Sequence, residues 1–205
     1  DDYRRGRLTT HKVFGEDFGI LAGDALLNYA YEVMTSAVCA ASPENMKNCA
    51  GAAAVIARKA GIFGMVGGQS LDVLLTDKPV NEKEMEFIFN LKTGALIEAA
   101  FMAGAILAGA GKECVSQLEK AGNLVGVAFQ IKDDILDVTS TQEVLGKPVF
   151  SDEKNNKTTY VKLYGMEKAA ADVENMSEKA ESIVKSIGDN EFLIELINKL
   201  ISREK

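Results

Sequence analysis

The stretch from Leu124 to Asp137 constrains this chain most, because an apolar run ends in Phe129-Gln130-Ile131-Lys132-Asp133-Asp134-Ile135-Leu136-Asp137. In a helix, residues one turn apart share a face, so Gln130, Asp133, Asp134 and Asp137 project together and crowd three carboxylates into one patch. Leu118, Gly122, Val125, Phe129 and Asp133 continue one another at helical spacing, so the acids take over a stripe that begins as core. Buried like charges repel and lose hydration, and they persist only where a cation or a hydrogen-bond network compensates them. An oxygen-rich cluster of this kind suits Mg²⁺, which keeps several waters and is commonly bound by one or two carboxylates plus substrate phosphates. The alternative is a helix end reaching solvent with three ordinary surface acids, and spacing alone leaves both open.

The rest of the chain reads as further helix. Glu16 to about Ala40 carries an apolar face of Ile20, Leu21, Leu27, Tyr31 and Met34 around Asp24. Ser42-Pro43-Glu44 combines a cap residue, a first-turn proline and an acid near the positive end of the dipole, and the helix it opens runs to about Lys59 before Gly61. In the next apolar stretch, Ile62 to Leu75, Gln69 and Asp72 are three apart and hence neighbours, as a surface contact or as part of a site. Gly67-Gly68 is no phosphate loop, since the preceding strand and the following Lys-Ser/Thr are both missing.

A long helix is expected from about Asn81 to Ala110, with the stripe Met85, Phe89, Lys92, Leu96, Ala99 and Ala103. Lys92 sits where a core residue belongs, so it either snorkels out along its stem or faces an interior anion; taken alone, snorkelling is the simpler reading. Thr93 follows, and Gly94 allows another backbone to approach closely. The acid-bearing helix spans about Lys112 to Val138. After a polar connection, Lys157-Thr158-Thr159-Tyr160 opens a region with a charged amphipathic stretch, Met166 to Ile187, and Asn190 can cap a last short helix. No alternating strand or internal repeat is evident, so the fold class is all-α, in one domain spanning 1–205.

Composition narrows the function. With 23 Lys+Arg against 30 Asp+Glu, nucleic acid is not expected as the main partner. No segment reads as a secretory signal, and no uninterrupted apolar run has membrane-spanning length, so the expectation is a cytoplasmic protein without membrane insertion. Cys39, Cys49 and Cys114 are odd in number and lack metal spacing, which fits reduced thiols in the core. With His11 as the one histidine, His-based zinc sites and Ser-His-Asp chemistry have little support. Near the start, Arg4-Arg5-Gly6 beside Asp1 and Asp2 can present forked donors to an anion, or can be a solvated tail.

Several ordered blocks resemble the trans-isoprenyl diphosphate synthases (the polyprenyl synthetase family), most of all their bacterial farnesyl diphosphate synthase, or geranyltranstransferase, branch. The blocks are Asp2-Tyr3-Arg4-Arg5-Gly6 with Thr10-His11-Lys12, Leu21-Ala22-Gly23-Asp24-Ala25-Leu26-Leu27 and Gly67-Gly68-Gln69-Ser70-Leu71-Asp72. They continue with Lys92-Thr93-Gly94, the Phe129–Asp137 segment, Gly146-Lys147, and Asp152 followed by Lys157-Thr158-Thr159-Tyr160. The resemblance implies an antiparallel helical bundle around a deep cavity, usually a homodimer. The implied reaction is head-to-tail condensation of an allylic diphosphate (dimethylallyl or geranyl diphosphate) with isopentenyl diphosphate, to a longer linear product such as farnesyl diphosphate.

By position, the resemblance gives Asp133, Asp134 and Asp137 the role of a second aspartate-rich motif holding Mg²⁺ on the allylic diphosphate. It gives Arg4 to the allylic diphosphate, Arg5 to isopentenyl diphosphate, and Lys92, Lys147 and Lys157 to the leaving diphosphate. Thr93 and Gln130 would place oxygens near the developing cation, and Gln69 and Asp72 would line the same cavity. Heterolysis of an allylic C–O bond calls for stabilisation concentrated on the leaving group and for walls that exclude water, which gives Lys92 in an apolar stripe a reason. The family also has a first aspartate-rich motif and a Gly-Lys-Arg segment ahead of Arg4-Arg5; Asp1 and Asp2 match residues trailing that motif, so the N-terminal helices are expected to lie outside the sequence given, a natively short chain being the alternative. Arg7-Leu8 stands where the family usually shows Lys-Pro. A non-catalytic partner subunit and a terpene cyclase are the alternatives. Both fit less well: a subunit need not retain costly interior charges, and a cyclase does not call for Arg4-Arg5.

Overall fold

The computed structural model describes residues 2–140, 158–188 and 190–203; Gly146, Lys147, Asp152 and Lys157 lie outside the described residues. The chain opens with a two-stranded antiparallel hairpin, β1 (Tyr3–Arg4) and β2 (Arg7–Leu8), in which Tyr3 pairs with Leu8 and Arg4 with Arg7. Arg5 (φ 52°) and Gly6 (φ 73°) form the two-residue turn; positive φ at both central positions is the type I′ pattern that matches strand twist. No strand is expected from the sequence because two residues per strand are too few to alternate.

Helices follow: α1 (Thr10–Phe14), α2 (Glu16–Ala40), α3 (Pro43–Ala60), α4 (Met65–Leu74) and α5 (Glu82–Ile88). A π-helical turn, Phe89–Gly94, joins α5 directly to α6 (Ala95–Leu107), and α7 (Lys112–Thr139) comes next. Beyond the undescribed segment lie α8 (Tyr160–Tyr164), α9 (Met166–Ile187) and α10 (Glu191–Ser202). The bounds expected for α2, α3, α7 and α9 agree with these within a residue or so, because caps and glycines mark them. Two expected caps differ in detail. Ser42 precedes α3 without a side-chain cap bond. Asn190 precedes α10, but its amide donates backwards to the Val184 and Gly188 carbonyls. The unanticipated cap is at α5, where Asn81 and Glu84 form a reciprocal capping box.

The spine is α7, which packs against α6, α9 and the π turn. A Cβ on Gly126 would lie 2.5 Å from Gly94 Cα, and one on Gly122 would lie 2.8 Å from Glu98 Cα. As one helix advances the other retreats, so α6 and α7 are antiparallel at a spacing only glycines allow; Gly94 permits the close approach expected of it. Gly51 against Ile106, and Lys59 against Glu98, show the same opposed register for α3 and α6.

Two apolar clusters fix the bundle. One gathers Leu118, Ala121 and Val125 of α7 with Ala180, Val184 and Ile197; the other gathers Met85, Ile88 and Phe89 with Ile131, Ala169 and Val173. In contrast, α2 buries no residue, and Phe18, Ile20, Leu21, Leu26 and Leu27 are exposed. Cys39 on this helix is exposed rather than a core residue, while Cys49 and Cys114 are half-buried; all three are free thiols. By length and composition alone, Pro43–Leu74 and Glu82–Leu107 are long and apolar enough to cross a membrane, as the core helices of a bundle also can be. In the bundle α6 is nevertheless a core helix between α3 and α7.

Candidate functional site

The π turn is the element that shapes the site. An extra residue in a helical turn rotates the side chains that follow it, and such bulges recur at functional positions. Here it faces α4 on one side and α7 on the other, with Lys92 and Thr93 at its end. Lys92 Nζ donates to Asp72 Oδ2 of α4 at 2.6 Å, with the Lys92 side chain 29% and that of Asp72 16% exposed. Lys92 therefore faces an interior anion supplied by the protein, and snorkelling, the simpler reading from sequence, does not occur. Asp72 likewise reaches across to another helix instead of making a local surface contact.

On the α7 side, Thr93 Oγ1 donates to Gln130 Oε1 at 2.8 Å, and Gln130 Nε2 points at Asp134 Oδ1 at the outer limit, 3.5 Å. Asp134 is buried, and its Oδ2 accepts from the Tyr160 backbone N–H at 2.8 Å, tying the start of α8 to α7. Thr159 caps α8 by accepting from Lys162 N. A small cavity of about 60 Å³ is lined by Asp72, Phe89, Lys92, Gln130, Asp134 and Thr158. It joins the two polar lines, Asp72–Lys92 and Thr93–Gln130–Asp134. The apolar wall is Phe89 and Ile88.

The spacing predicts one shared patch for the three α7 acids, whereas Asp133 and Asp134 turn to different partners. Asp133 Oδ1 accepts from Arg203 Nη2 at 2.7 Å, Asp134 holds α8, and Asp137 is buried. Among the described residues no group of three or more His, Cys, Asp or Glu side chains converges on one point as a metal site. The donor chemistry nevertheless fits Mg²⁺, which needs only one or two carboxylates and completes its shell with water and phosphate oxygens. Asp133, whose side chain is 35% exposed, is the accessible one.

Gln69 is half-buried on α4, one turn before Asp72. Arg4 and Arg5 sit on the exposed hairpin and line a broad open hollow with Thr9, Thr10, His11 and Glu16, which shares no lining residue with the Lys92 cavity. The chain as described does not bring the arginine pair to the Lys92 group. Lys147 and Lys157 lie outside the described residues.

Three features were not anticipated. Arg203 has no sequence signal, being one basic residue after a helix. Tyr160 contributes a backbone N–H, which every residue but proline has. The third is a polar cluster beyond the π turn. Lys59 Nζ bonds Glu98 and, at 2.8 Å, Glu119, while Asn123 donates to Glu98 (2.7 Å) and Asn90 (3.0 Å). Burial alone would lower the Lys59 pKa, but the bonds to Glu119 and Glu98 outweigh it and hold it above the ordinary value. Asn90 with Glu98, and Glu119 with Asn123, stand at helical spacing, a signal that was available.

The polyprenyl synthetase family profile matches residues 1–197. The chain is 41% identical over 166 residues to a farnesyl diphosphate synthase of Geobacillus stearothermophilus, covering 81% of this chain and 55% of that protein. It is 40% identical over 182 residues to a chloroplastic geranylgeranyl pyrophosphate synthase of Capsicum annuum, covering 88% of this chain and 48% of that protein. The chain thus spans about half the length of the curated relatives it matches. In structure it is similar to a geranyltransferase from Helicobacter pylori, crystallised with magnesium and isoprenyl diphosphate, at a TM-score of 0.83 and 28% identity, covering 98% of this chain and 64% of that one.

Proposed function

The chain belongs to the polyprenyl synthetase family, and from that premise we propose that it carries the ionising part of a prenyltransferase site. In this reading an allylic diphosphate, dimethylallyl or geranyl, loses its diphosphate, the double bond of isopentenyl diphosphate attacks the resulting cation, and the new cation so formed loses a proton to the released diphosphate. The product is a longer linear trans-prenyl diphosphate, farnesyl diphosphate in the first instance. The protein would act as a single-domain cytoplasmic homodimer, and the exposed apolar face of α2 supports a second copy as a partner.

The observation that carries the reading is Lys92, a cation set into an apolar helix at a π turn and held by Asp72 beside one cavity. A lysine oriented in a partly dry site stabilises negative charge where it develops, on the departing diphosphate. Thr93 and Gln130, locked together at 2.8 Å, present oxygen lone pairs to positive charge on the allyl carbons. The Phe89 wall excludes water that would quench the cation. When bound, Mg²⁺ neutralises diphosphate charge, and Asp133, Asp134 and Asp137 would hold it. Arg4 would take the allylic diphosphate and Arg5 isopentenyl diphosphate, with Gln69, Lys147 and Lys157 adding to the anion site; this requires the hairpin to close toward α7.

The test supplies the full-length protein with geranyl diphosphate, labelled isopentenyl diphosphate and Mg²⁺. Label in a linear C15 or longer diphosphate supports elongation and reads the length. A cyclic hydrocarbon, or no turnover by folded protein, would sink the proposal in favour of a cyclase or a non-catalytic subunit.

A further inference from the structure

Arg203 stands just past α10, and α10 is anchored by Ile197, which is fully buried in one core cluster, and by Ile201, which packs against both. That anchoring delivers the arginine to the surface of α7. Its guanidinium carbon lies 3.5 Å from the Phe129 ring centroid, and Nη2 donates to both Asp133 Oδ1 (2.7 Å) and the Phe129 carbonyl (3.1 Å). Phe129 and Asp133 are one helical turn apart. One nitrogen therefore bridges a backbone acceptor and the side chain above it, while the ring supports the flat cation from below.

This hold selects one orientation of Asp133 and neutralises it, but it is incomplete. Arg203 Nε is buried without an acceptor among the described residues, and a buried donor left unsatisfied offsets part of what the other contacts contribute. The Asp133 side chain also keeps 35% exposure, so an incoming cation can reach it. A carboxylate oxygen engaged at 2.7 Å by a guanidinium cannot give the same lone pairs to a divalent cation, and the two positive charges repel at that separation.

We propose that Arg203 is a positioning residue for Asp133: it holds this carboxylate while the protein is metal-free, and a divalent cation with diphosphate takes Asp133 only as Arg203 lets go. Metal loading is thereby coupled to the hold of α10 on α7. The inference rests on the reading of Asp133 as a metal ligand.

The experiment uses the full-length protein and does not depend on turnover. Mn²⁺ is titrated by EPR, with and without inorganic diphosphate, into wild type, Arg203→Gln, Arg203→Lys and Asp133→Asn, and hydrogen exchange over Glu191–Ser202 is followed with and without Mg²⁺ plus diphosphate. Removing a competitor of this kind tightens Mn²⁺ binding by Arg203→Gln about three- to tenfold, with Arg203→Lys in between. In wild type, Mg²⁺ with diphosphate speeds exchange in α10; in Arg203→Gln exchange is already fast and the ligands leave it unchanged. Equal or weaker Mn²⁺ binding by folded Arg203→Gln, or α10 exchange indifferent to metal in wild type, overturns the proposal. If Arg203→Gln does not fold, the Arg203→Lys affinity decides in the same way. Mn²⁺ binding that Asp133→Asn leaves intact overturns it through its premise. Asp133-dependent binding with the expected shift, in a protein that elongates no prenyl chain, leaves it standing while the prenyltransferase reading fails.

Discussion

A methyl group at Gly68 is the sharpest probe of the site's construction. A Cβ there would lie 2.3 Å from the Lys92 backbone nitrogen and 2.8 Å from the Leu91 carbonyl carbon, where ordinary contact begins at 3.4 Å. Both are main-chain atoms inside a hydrogen-bonded π turn, so no flexible side-chain tip can yield. The turn must move away from α4 by about 1 Å, and overpacking of this kind costs about 2–3 kcal/mol. For a chain of this length that lowers Tm by about 4–12 °C. The same displacement separates Lys92 from Asp72 and shifts Thr93 against Gln130. A misplacement of about 1 Å at reacting groups costs about 100-fold in rate. Thermal unfolding by circular dichroism, with prenyl transfer assayed well below the new Tm, reads both. Gly104→Ala is the control, since a Cβ there meets nothing within 4 Å and should stabilise α6 by about 0.5–1 kcal/mol. A Gly68→Ala protein melting with wild type and turning over normally would refute the argument that α4 and the π turn are held at glycine contact.

Glu98→Ala leaves Lys59 with Glu119 and Asn123 with Asn90 as their remaining named partners beside a vacated buried site, and should cost about 1–3 kcal/mol in urea unfolding. Because Lys59 is held above its ordinary value of 10.5, the stability it adds is fully present below that pH and is lost as pH rises through the folded value; Lys59→Met should erase this alkaline loss. At the other end, Asp172 is held below 3.8 by hydrogen bonds from Lys168 and Tyr160. Its contribution is present above 3.8 and lost as pH falls through the folded value, so Asp172→Asn should flatten the acid limb of the stability profile.

The helices were legible because their signals are local: Pro43 at a first turn, Gly61 after a last one, and apolar residues at three- and four-residue intervals. The α7 acids were legible as a cluster at helical spacing for the same reason. What those acids touch was not, since Asp134 meets a backbone amide of Tyr160 and Asp133 meets Arg203, 70 residues away. Lys92 shows the limit well. Its place in an apolar stripe announced an anomaly, but choosing between snorkelling and an interior anion required the position of Asp72 on another helix. The π turn was hidden because it continues α5 into α6 without a break in periodicity that a stripe of small residues would reveal. Glu98 carries a weaker signal, because its spacing from Asn90 is readable but a single acid in an apolar helix ordinarily faces solvent.

If Lys92 and Asp133 act on the departing diphosphate as proposed, steady-state prenyl transfer by Lys92→Met and Asp133→Ala in the full-length protein will show it. Each variant should keep the wild-type fold by circular dichroism while kcat falls by about 100-fold or more, as expected when an interaction made mainly in the transition state is removed. Folded variants that turn over geranyl and isopentenyl diphosphates at the wild-type rate would contradict it.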